Sequence, residues 1–214
     1  GSTRNNLEEA PCQQGALRIV YDMLQILEEP TVRERAMPVS VEGYHCMLQA
    51  GLVSEKAELI RGVIIEKMSK SILHYKLTEI VVEMIRAAFG NQFWVRQEAP
   101  LTLTDSEPEP DVSVVEGHRQ NYETHPTTAR LVVEVSVSTL PEDRAMADIY
   151  AEAAVAEYWI VNAVDRCIEL YQQPVAGHYQ SIMRVDESGV LESAALPGLR
   201  LNIGELFAGL SCVV

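Results

Sequence analysis

The sequence predicts a mixed α/β (α+β) domain built on a central sheet. The prediction depends on three observations: a long run with helical spacing at 72–89, an alanine-rich helical segment at 142–154, and short β-type runs on both sides of that second segment. A chain of 214 residues, 47% of them apolar, is long enough for one domain of ordinary size with a full core.

The N-terminal part is predicted to be a helical extension. Residues 15–29 place leucine and valine at helical spacing, and Pro30 ends that run. We therefore expect an extension over 1–36 and a single domain over 37–214. Because an isolated helix of this length is marginal in water, its apolar face should pack on the core or on a second subunit.

A linker, a short helix and a hairpin are predicted next. Residues 30–39 are the linker, and the helix begins after Ser40 as its N-cap and ends at Gly51. Arg61 and Gly62 then form the turn of a hairpin. The two strands of this hairpin are predicted at Glu58–Ile60 and Val63–Met68.

The central part of the domain is predicted to contain most of the sheet. The helix at 72–89 ends at Gly90. The strands that follow are predicted at Phe93–Glu98, Leu101–Thr104, Val112–Val115, Leu131–Ser136, Glu157–Asn162, Cys167–Tyr171, Tyr179–Val185 and Val190–Leu191.

Charge argues against broad electrostatic attraction to nucleic acid. The formal net charge is −14. Residues 1–76 carry nine basic and ten acidic residues, whereas 77–214 carry eight basic and 21 acidic residues. Non-specific binding depends on lysine and arginine neutralising phosphates, so a nucleic-acid role needs a local basic patch or a bound cation.

The sequence contains no sign of a membrane segment or a secretory leader. No stretch approaches the roughly 18 consecutive apolar residues of a transmembrane helix. No basic segment followed by an apolar one opens the chain, so we expect a cytoplasmic protein.

Three acidic residues lie where an acid is unexpected. Glu134 lies within the apolar run LVVEVS, Asp111 follows Pro110 and opens the run VSVV, and Glu58 opens a short strand. A buried carboxylate needs a cation, a hydrogen-bond network or a raised pKa. Taken singly, Glu134 could be a structural glutamate, Asp111 a strand-start cap and Glu58 a surface residue. Together, such oxygen ligands suit Mg²⁺ or Mn²⁺.

The chain from Pro38 to about Phe207 resembles the Uma family of restriction endonucleases, a branch of the PD-(D/E)XK nuclease superfamily. The words that carry the resemblance are VSVEGYHCM, AELIRGVIIEKMS, VRQEAPLTLTDSEPEPDVSVV, YETHPTTARLVVEVSVSTLPEDRA, IYAEAAVAEYWIVN and ALPGLRL. The resemblance implies a restriction-endonuclease-like core, with a mixed sheet flanked by helices. It implies DNA as the partner, Mg²⁺ or Mn²⁺ as the cofactor, and a homodimer.

The resemblance also implies an active site made of Glu58, Asp111 and Glu134, which we expect to converge on one metal ion. In the implied mechanism the ion polarises the scissile phosphate and lowers the pKa of the attacking water. A lysine stabilises charge in the transition state.

The family's lysine is absent from its two expected positions. The E-x-K pattern would place it at Ser136, and the Uma family usually places it where this chain has Met146. Arg144 is the cation nearest to that point in the sequence, and we therefore include it among the expected catalytic residues. A lysine could otherwise come from Lys67, Lys70 or Lys76 if the fold brings one of them to the site.

Two functions are therefore expected from the sequence. The first is a metal-dependent DNA endonuclease, with catalysis slowed or lost because Met146 replaces the lysine. The second is a non-enzymatic protein that keeps the nuclease fold as a binding or oligomerisation module.

Overall fold

The computed structural model describes residues 26–208 and 210. The chain divides into two compact units, with the boundary between Pro38 and Val39. In the first unit, a 3-10 turn at Ile26–Glu28 precedes helix α1 at Pro30–Arg33.

The second unit contains five helices among the described residues and ten strands. The helices are α2 (Val41–Gln49), α3 (Ile72–Phe89), α4 (Leu140–Ala145), α5 (Ala147–Glu152) and α6 (Ile203–Leu206). The strands are β1 (Ala57–Ile60), β2 (Val63–Glu66), β3 (Phe93–Gln97), β4 (Val112–Glu116), β5 (Leu131–Ser136), β6 (Glu157–Asn162), β7 (Cys167–Val175), β8 (His178–Asp186), β9 (Val190–Glu192) and β10 (Arg200–Asn202).

A six-stranded mixed sheet forms the centre of this unit. Its strands are arranged in the order β3-β4-β5-β6-β7-β8. Neighbours are antiparallel except β5 and β6, which are parallel. A parallel pair needs a crossover connection, and α4 and α5 provide it. This crossover places two short helices directly after the strand that carries Glu134.

Two apolar clusters cover the two faces of the sheet. Leu77, Val81 and Ile85 of α3 belong to one cluster, together with Val133 of β5. Val132 belongs to the other cluster. Because side chains alternate along a strand, Glu134 is on the same face as Val132, which is the face covered by α5.

The hairpin of β1 and β2 attaches to the segment that leads into β4. The Glu107 N–H donates to the Leu59 carbonyl oxygen at 2.6 Å, and these two residues form an isolated β-bridge. This pairing brings Glu58 close to the chain just before Asp111. Residues that are about 50 positions apart in the sequence therefore share one region.

The predicted fold class is confirmed, and so are several of its elements. The helix predicted at 72–89 is α3. The predicted strands Val112–Val115 and Leu131–Ser136 are neighbours in the sheet, with Val112 opposite Val133. The strand predicted at Glu157–Asn162 is β6.

Other element predictions are wrong. Leu101–Thr104 is not a strand. Its N–H groups donate to carbonyl oxygens in several different turns and loops, including that of Pro108, and not to a single neighbouring strand. The helix predicted at 142–154 is two helices that meet at Met146. The predicted linker at 30–39 contains α1, because Pro30 is tolerated at a first helical position. Most of the helix predicted at 15–29 lies outside the described residues.

Candidate active site

Asp111 and Glu134 form the centre of the candidate site. Asp111 directly precedes β4, and Glu134 lies within β5. The Asp111 N–H donates to Glu134 Oε2 at 3.1 Å, and the Val135 N–H donates to Asp111 Oδ2 at 2.7 Å. Glu134 therefore accepts from the backbone of Asp111, and Asp111 accepts from the residue that follows Glu134. The pairing of β4 with β5 holds the two side chains together.

The N-terminal end of α3 brings two nitrogen donors to Asp111. Lys70 Nζ lies 2.6 Å from Asp111 Oδ1, and His74 Nε2 lies 2.9 Å from Asp111 Oδ2. The Ser71 hydroxyl accepts from the His74 N–H at 3.2 Å, which caps the helix and orients its first turn. Lys70 was one of the three lysines that the sequence analysis offered for this role. His74 was not among the expected site residues, because a single histidine is a weak signal.

These contacts set the protonation states of Asp111 and Lys70. Burial alone would raise the pKa of Asp111, but the hydrogen bonds and charges of His74 and Lys70 outweigh burial and lower that pKa. Burial alone would lower the pKa of Lys70, but the charges and hydrogen bonds of Asp111 and Glu98 raise it. Asp111 is therefore ionised and Lys70 protonated near neutral pH.

Glu134 has the opposite environment. Burial raises the pKa of Glu134 well above its ordinary value, and the negative charges of Asp111 and Asp143 raise it further. The Tyr150 hydroxyl donates to Glu134 Oε1 at 2.8 Å, which offsets only part of this effect. A carboxylate in this position favours uptake of a proton or a cation.

Glu58 lies at the edge of the same region. Its Oε2 accepts from the Glu109 N–H at 3.2 Å, so this carboxylate faces the chain just before Asp111. Burial raises the pKa of Glu58, while the charges of Lys67 and Lys70 act in the opposite direction. Glu58 is therefore within the electrostatic reach of the lysine that binds Asp111.

Asp143 of α4 is an acid that the sequence analysis missed. The Thr139 hydroxyl donates to Asp143 Oδ2 at 2.8 Å. Burial raises the pKa of Asp143, and the charge of Asp111 adds to that effect. Its position shortly after LVVEVS was the available signal, because a crossover that follows a parallel strand returns over the end of that strand.

The side chain of Arg144 pairs with a different acid. Its Nε donates to Glu169 Oε2 on β7 at 2.9 Å, and its side chain is 52% exposed. Met146 packs against the apolar cluster that contains Tyr150 and Tyr158. The cation that the fold brings to the carboxylates is therefore Lys70.

A ready-made three-ligand metal site is not present in the described residues. Across 26–208 and 210, no group of three His, Cys, Asp or Glu side chains is arranged to hold one ion. Lys70 and His74 contact the two oxygens of Asp111, and the convergence of Glu58, Asp111 and Glu134 on one ion stays a prediction. The donor chemistry nevertheless suits a hard divalent cation, since the three side chains offer only carboxylate oxygens.

The comparisons with known proteins agree with this fold and this region. A family model described as Uma2, putative restriction endonuclease, matches residues 41–204. The chain belongs to this family. The match spans α2, the acidic site and the first half of α6.

A solved structure shares the fold of this Uma2 chain. It is the crystal structure of a putative nuclease of the DUF820 group from Anabaena variabilis, with a TM-score of 0.67 and 17% sequence identity. The similarity covers 80% of this chain and 98% of that one. A search of curated proteins found no match. Among the described residues, no helix has the length and apolar character needed to cross a membrane.

Proposed function

We propose that the protein is a divalent-metal-dependent DNA endonuclease of the PD-(D/E)XK type, in which Lys70 takes the place of the family's usual lysine. The observation that carries the proposal is the 2.6 Å contact between Lys70 Nζ and Asp111 Oδ1. Asp111 is in turn bonded through its backbone to Glu134. A cation and two acids thus meet at one point, although they come from three separate segments.

The distribution of lysine supports DNA as the partner. All four lysines of the sequence lie between Lys56 and Lys76. This segment has five basic and two acidic residues, in a chain with a formal net charge of −14. It forms β1, β2 and the start of α3, which surround the acidic site. Three of these cations pair with acids: Arg61 with Glu152, Lys67 with Glu109 and Lys70 with Asp111. The positive charge that can meet an approaching phosphate backbone is therefore mainly that of the exposed Lys56 and Lys76.

The residues have distinct roles in this proposal. Asp111, Glu134 and Glu58 would hold Mg²⁺ or Mn²⁺, and such an ion, when bound, polarises a phosphate and lowers the pKa of a neighbouring water. Lys70 donates to the negative charge that develops on the phosphate. Its raised pKa keeps it protonated, so it acts as a donor and not as a base.

The test is cleavage of plasmid DNA with Mg²⁺, with Mn²⁺ and with EDTA. We expect metal-dependent cleavage by the unmodified protein and none by Asp111→Asn. Lys70→Met should lower the rate by about 10²–10³, the typical cost of removing one preorganised donor. Lys76→Met is the matched control, because Lys76 is exposed on α3 and should change the rate only slightly.

The second candidate function is a non-enzymatic nuclease-fold module. It is favoured by Met146, which packs in an apolar cluster, and by Asp111, whose two oxygens already have partners. Metal binding and DNA binding without cleavage would support this function and contradict the endonuclease. The same preparations in light scattering would test the homodimer, which the family resemblance implies.

A further inference from the structure

Arg96 is a buried guanidinium that lacks an anionic partner. It lies on β3 and is only 4% exposed. Its Nε and Nη1 atoms are buried without a hydrogen-bond acceptor. Nη2 lies 3.2 Å from His125 Nδ1, and the guanidinium stacks 4.8 Å from the centre of the Trp94 ring. Within the described residues, no carboxylate pairs with Arg96.

Stacking on Trp94 does not satisfy the polar atoms of Arg96. The ring attracts the positive charge but accepts none of the free N–H groups. Burial lowers the pKa of Arg96, although a guanidinium still keeps its proton in proteins. An unpaired buried charge is costly, and structures normally pair it with an acceptor. Arg96 therefore lacks an oxyanion that would accept hydrogen bonds from its free N–H groups.

Ser113 adds a second unsatisfied group at the same place. It pairs directly with Arg96 across β3 and β4, and it is 1% exposed. Its Oγ also has no hydrogen-bond partner. Side chains that are directly opposite on neighbouring strands lie on the same face of the sheet. The Ser113 hydroxyl and two guanidinium nitrogens of Arg96 thus lie on one face of the sheet without an acceptor.

His125 occupies the position of that acceptor. Arginine has only donors, so His125 Nδ1 must accept, and its proton is on Nε2. His125 is exposed and lies in the loop between β4 and β5. A rotation of its side chain would free Nη2 and complete a bidentate fork, the geometry with which arginine binds phosphate.

We propose that Arg96 and Ser113 form a phosphate-binding site beneath His125. The site is close to the candidate active site, because Ser113 lies two residues after Asp111, about 7 Å along the strand. A nucleic-acid strand that enters the active site could therefore place a neighbouring phosphate on Arg96. That source of the phosphate rests on the proposed endonuclease function, whereas the binding of free phosphate does not.

The first test uses inorganic phosphate and the full chain, without DNA or metal. Thermal unfolding is compared in chloride and in phosphate at equal ionic strength. The melting temperature of the unmodified protein should rise by about 3–6 °C at ten times the dissociation constant for phosphate. Arg96→Met should abolish this rise. The matched control is Arg130→Met, which removes an exposed arginine and should keep the full rise.

Two further measurements do not depend on the folding of Arg96→Met. Phosphate should change the tryptophan fluorescence of the unmodified protein, because Trp94 stacks on the guanidinium, and Trp94→Phe should remove the change. His125→Ala should bind phosphate more tightly, since the competing acceptor is gone. If the unmodified protein shows neither a fluorescence change nor a rise in melting temperature, the proposal is overturned.

DNA binding distinguishes the two sources of phosphate. Fluorescence anisotropy with a duplex, in EDTA to prevent cleavage, should show about tenfold weaker binding for Arg96→Met and a salt dependence reduced by about one phosphate contact. A phosphate response in the first test without this loss would assign the site to free phosphate. The phosphate tests are independent of catalysis, so an inactive protein would overturn the endonuclease and not this site.

Discussion

Two glutamates on the neighbouring strands β5 and β6 have very different surroundings. Glu157 is fully buried, yet donors surround its carboxylate. Those donors are Trp159 Nε1, the Ser193 hydroxyl, Gln172 Nε2 and the N–H groups of Ala194 and Ala195. Glu157 therefore joins the sheet to the segment that follows β9. Both of its carboxylate oxygens are already occupied by hydrogen bonds and are not available to a ligand.

Glu134 has fewer donors and more negative neighbours. It accepts bonds from the Tyr150 hydroxyl and the Asp111 N–H, and it faces the charges of Asp111 and Asp143. Glu134 is half-buried and Glu157 is fully buried, so burial does not mark Glu134 as the candidate metal ligand. The number of donors and the sign of the neighbouring charges distinguish the two glutamates, and the predictions below test that distinction.

The largest expected effect is the loss of activity in Glu134→Gln. Cleavage of plasmid DNA should fall by at least about 10²-fold, because a charged oxygen that favours a cation is gone. The free energy of unfolding should stay the same or rise by about 1–2 kcal/mol, since a carboxylate with a raised pKa is replaced by a neutral amide. Denaturant unfolding measures that energy, and a large loss of stability would contradict this account of Glu134.

The next effect is the loss of stability in Glu157→Ala. Several buried donors would lose their acceptor, and the free energy of unfolding should fall by about 3–5 kcal/mol. Urea unfolding is the measurement. Glu192→Ala is the control, because Glu192 is exposed on β9 and should change the stability by less than about 0.5 kcal/mol. Equal losses in the two variants would refute the structural role of Glu157.

A smaller effect is expected from metal alone. Mg²⁺ or Mn²⁺ at ten times its dissociation constant should raise the melting temperature of the unmodified protein by about 3–6 °C. The rise should disappear in Glu134→Gln and persist in Glu192→Gln. Differential scanning calorimetry at constant ionic strength checks this outcome, and a full metal response in Glu134→Gln would remove that residue from the metal site.

The smallest effect is expected for Arg144→Met. Arg144 is half-exposed, and the Tyr171 hydroxyl still donates to the buried Glu169 in the variant, so the loss of the ion pair should cost only about 1 kcal/mol of stability. The hydrogen bond and charge of Arg144 lower the pKa of Glu169, so this stabilisation is present above the unfolded pKa and is lost as pH falls through the folded pKa. The stability difference between the two proteins should therefore shrink in acid. The cleavage rate should change by less than about threefold, and a loss as large as that of Lys70→Met would assign Arg144 a catalytic role.

Local patterns were sufficient for much of the fold. The helical spacing of apolar residues in α3 and the β-branched runs of β4, β5 and β6 predicted those elements. A helix that buries one face and a strand that buries both faces each leave a characteristic pattern of apolar residues in the sequence. The Leu101–Thr104 segment shows the limit. Its pattern is that of a strand, but no strand within residues 26–208 pairs with it, and pairing is not a local property.

The candidate site likewise has a part that the sequence predicts and a part that only the structure shows. The sequence by itself determined Asp111 and Glu134 as candidates, because an acid beside or within a buried strand conflicts with its surroundings. Only the tertiary structure decided that Lys70 and His74 meet Asp111, while Arg144 meets Glu169. The physical reason is that those contacts depend on where α3 and the crossover helices pack on the sheet. That packing is set by the whole core, and residues 41 positions apart carry no local trace of it.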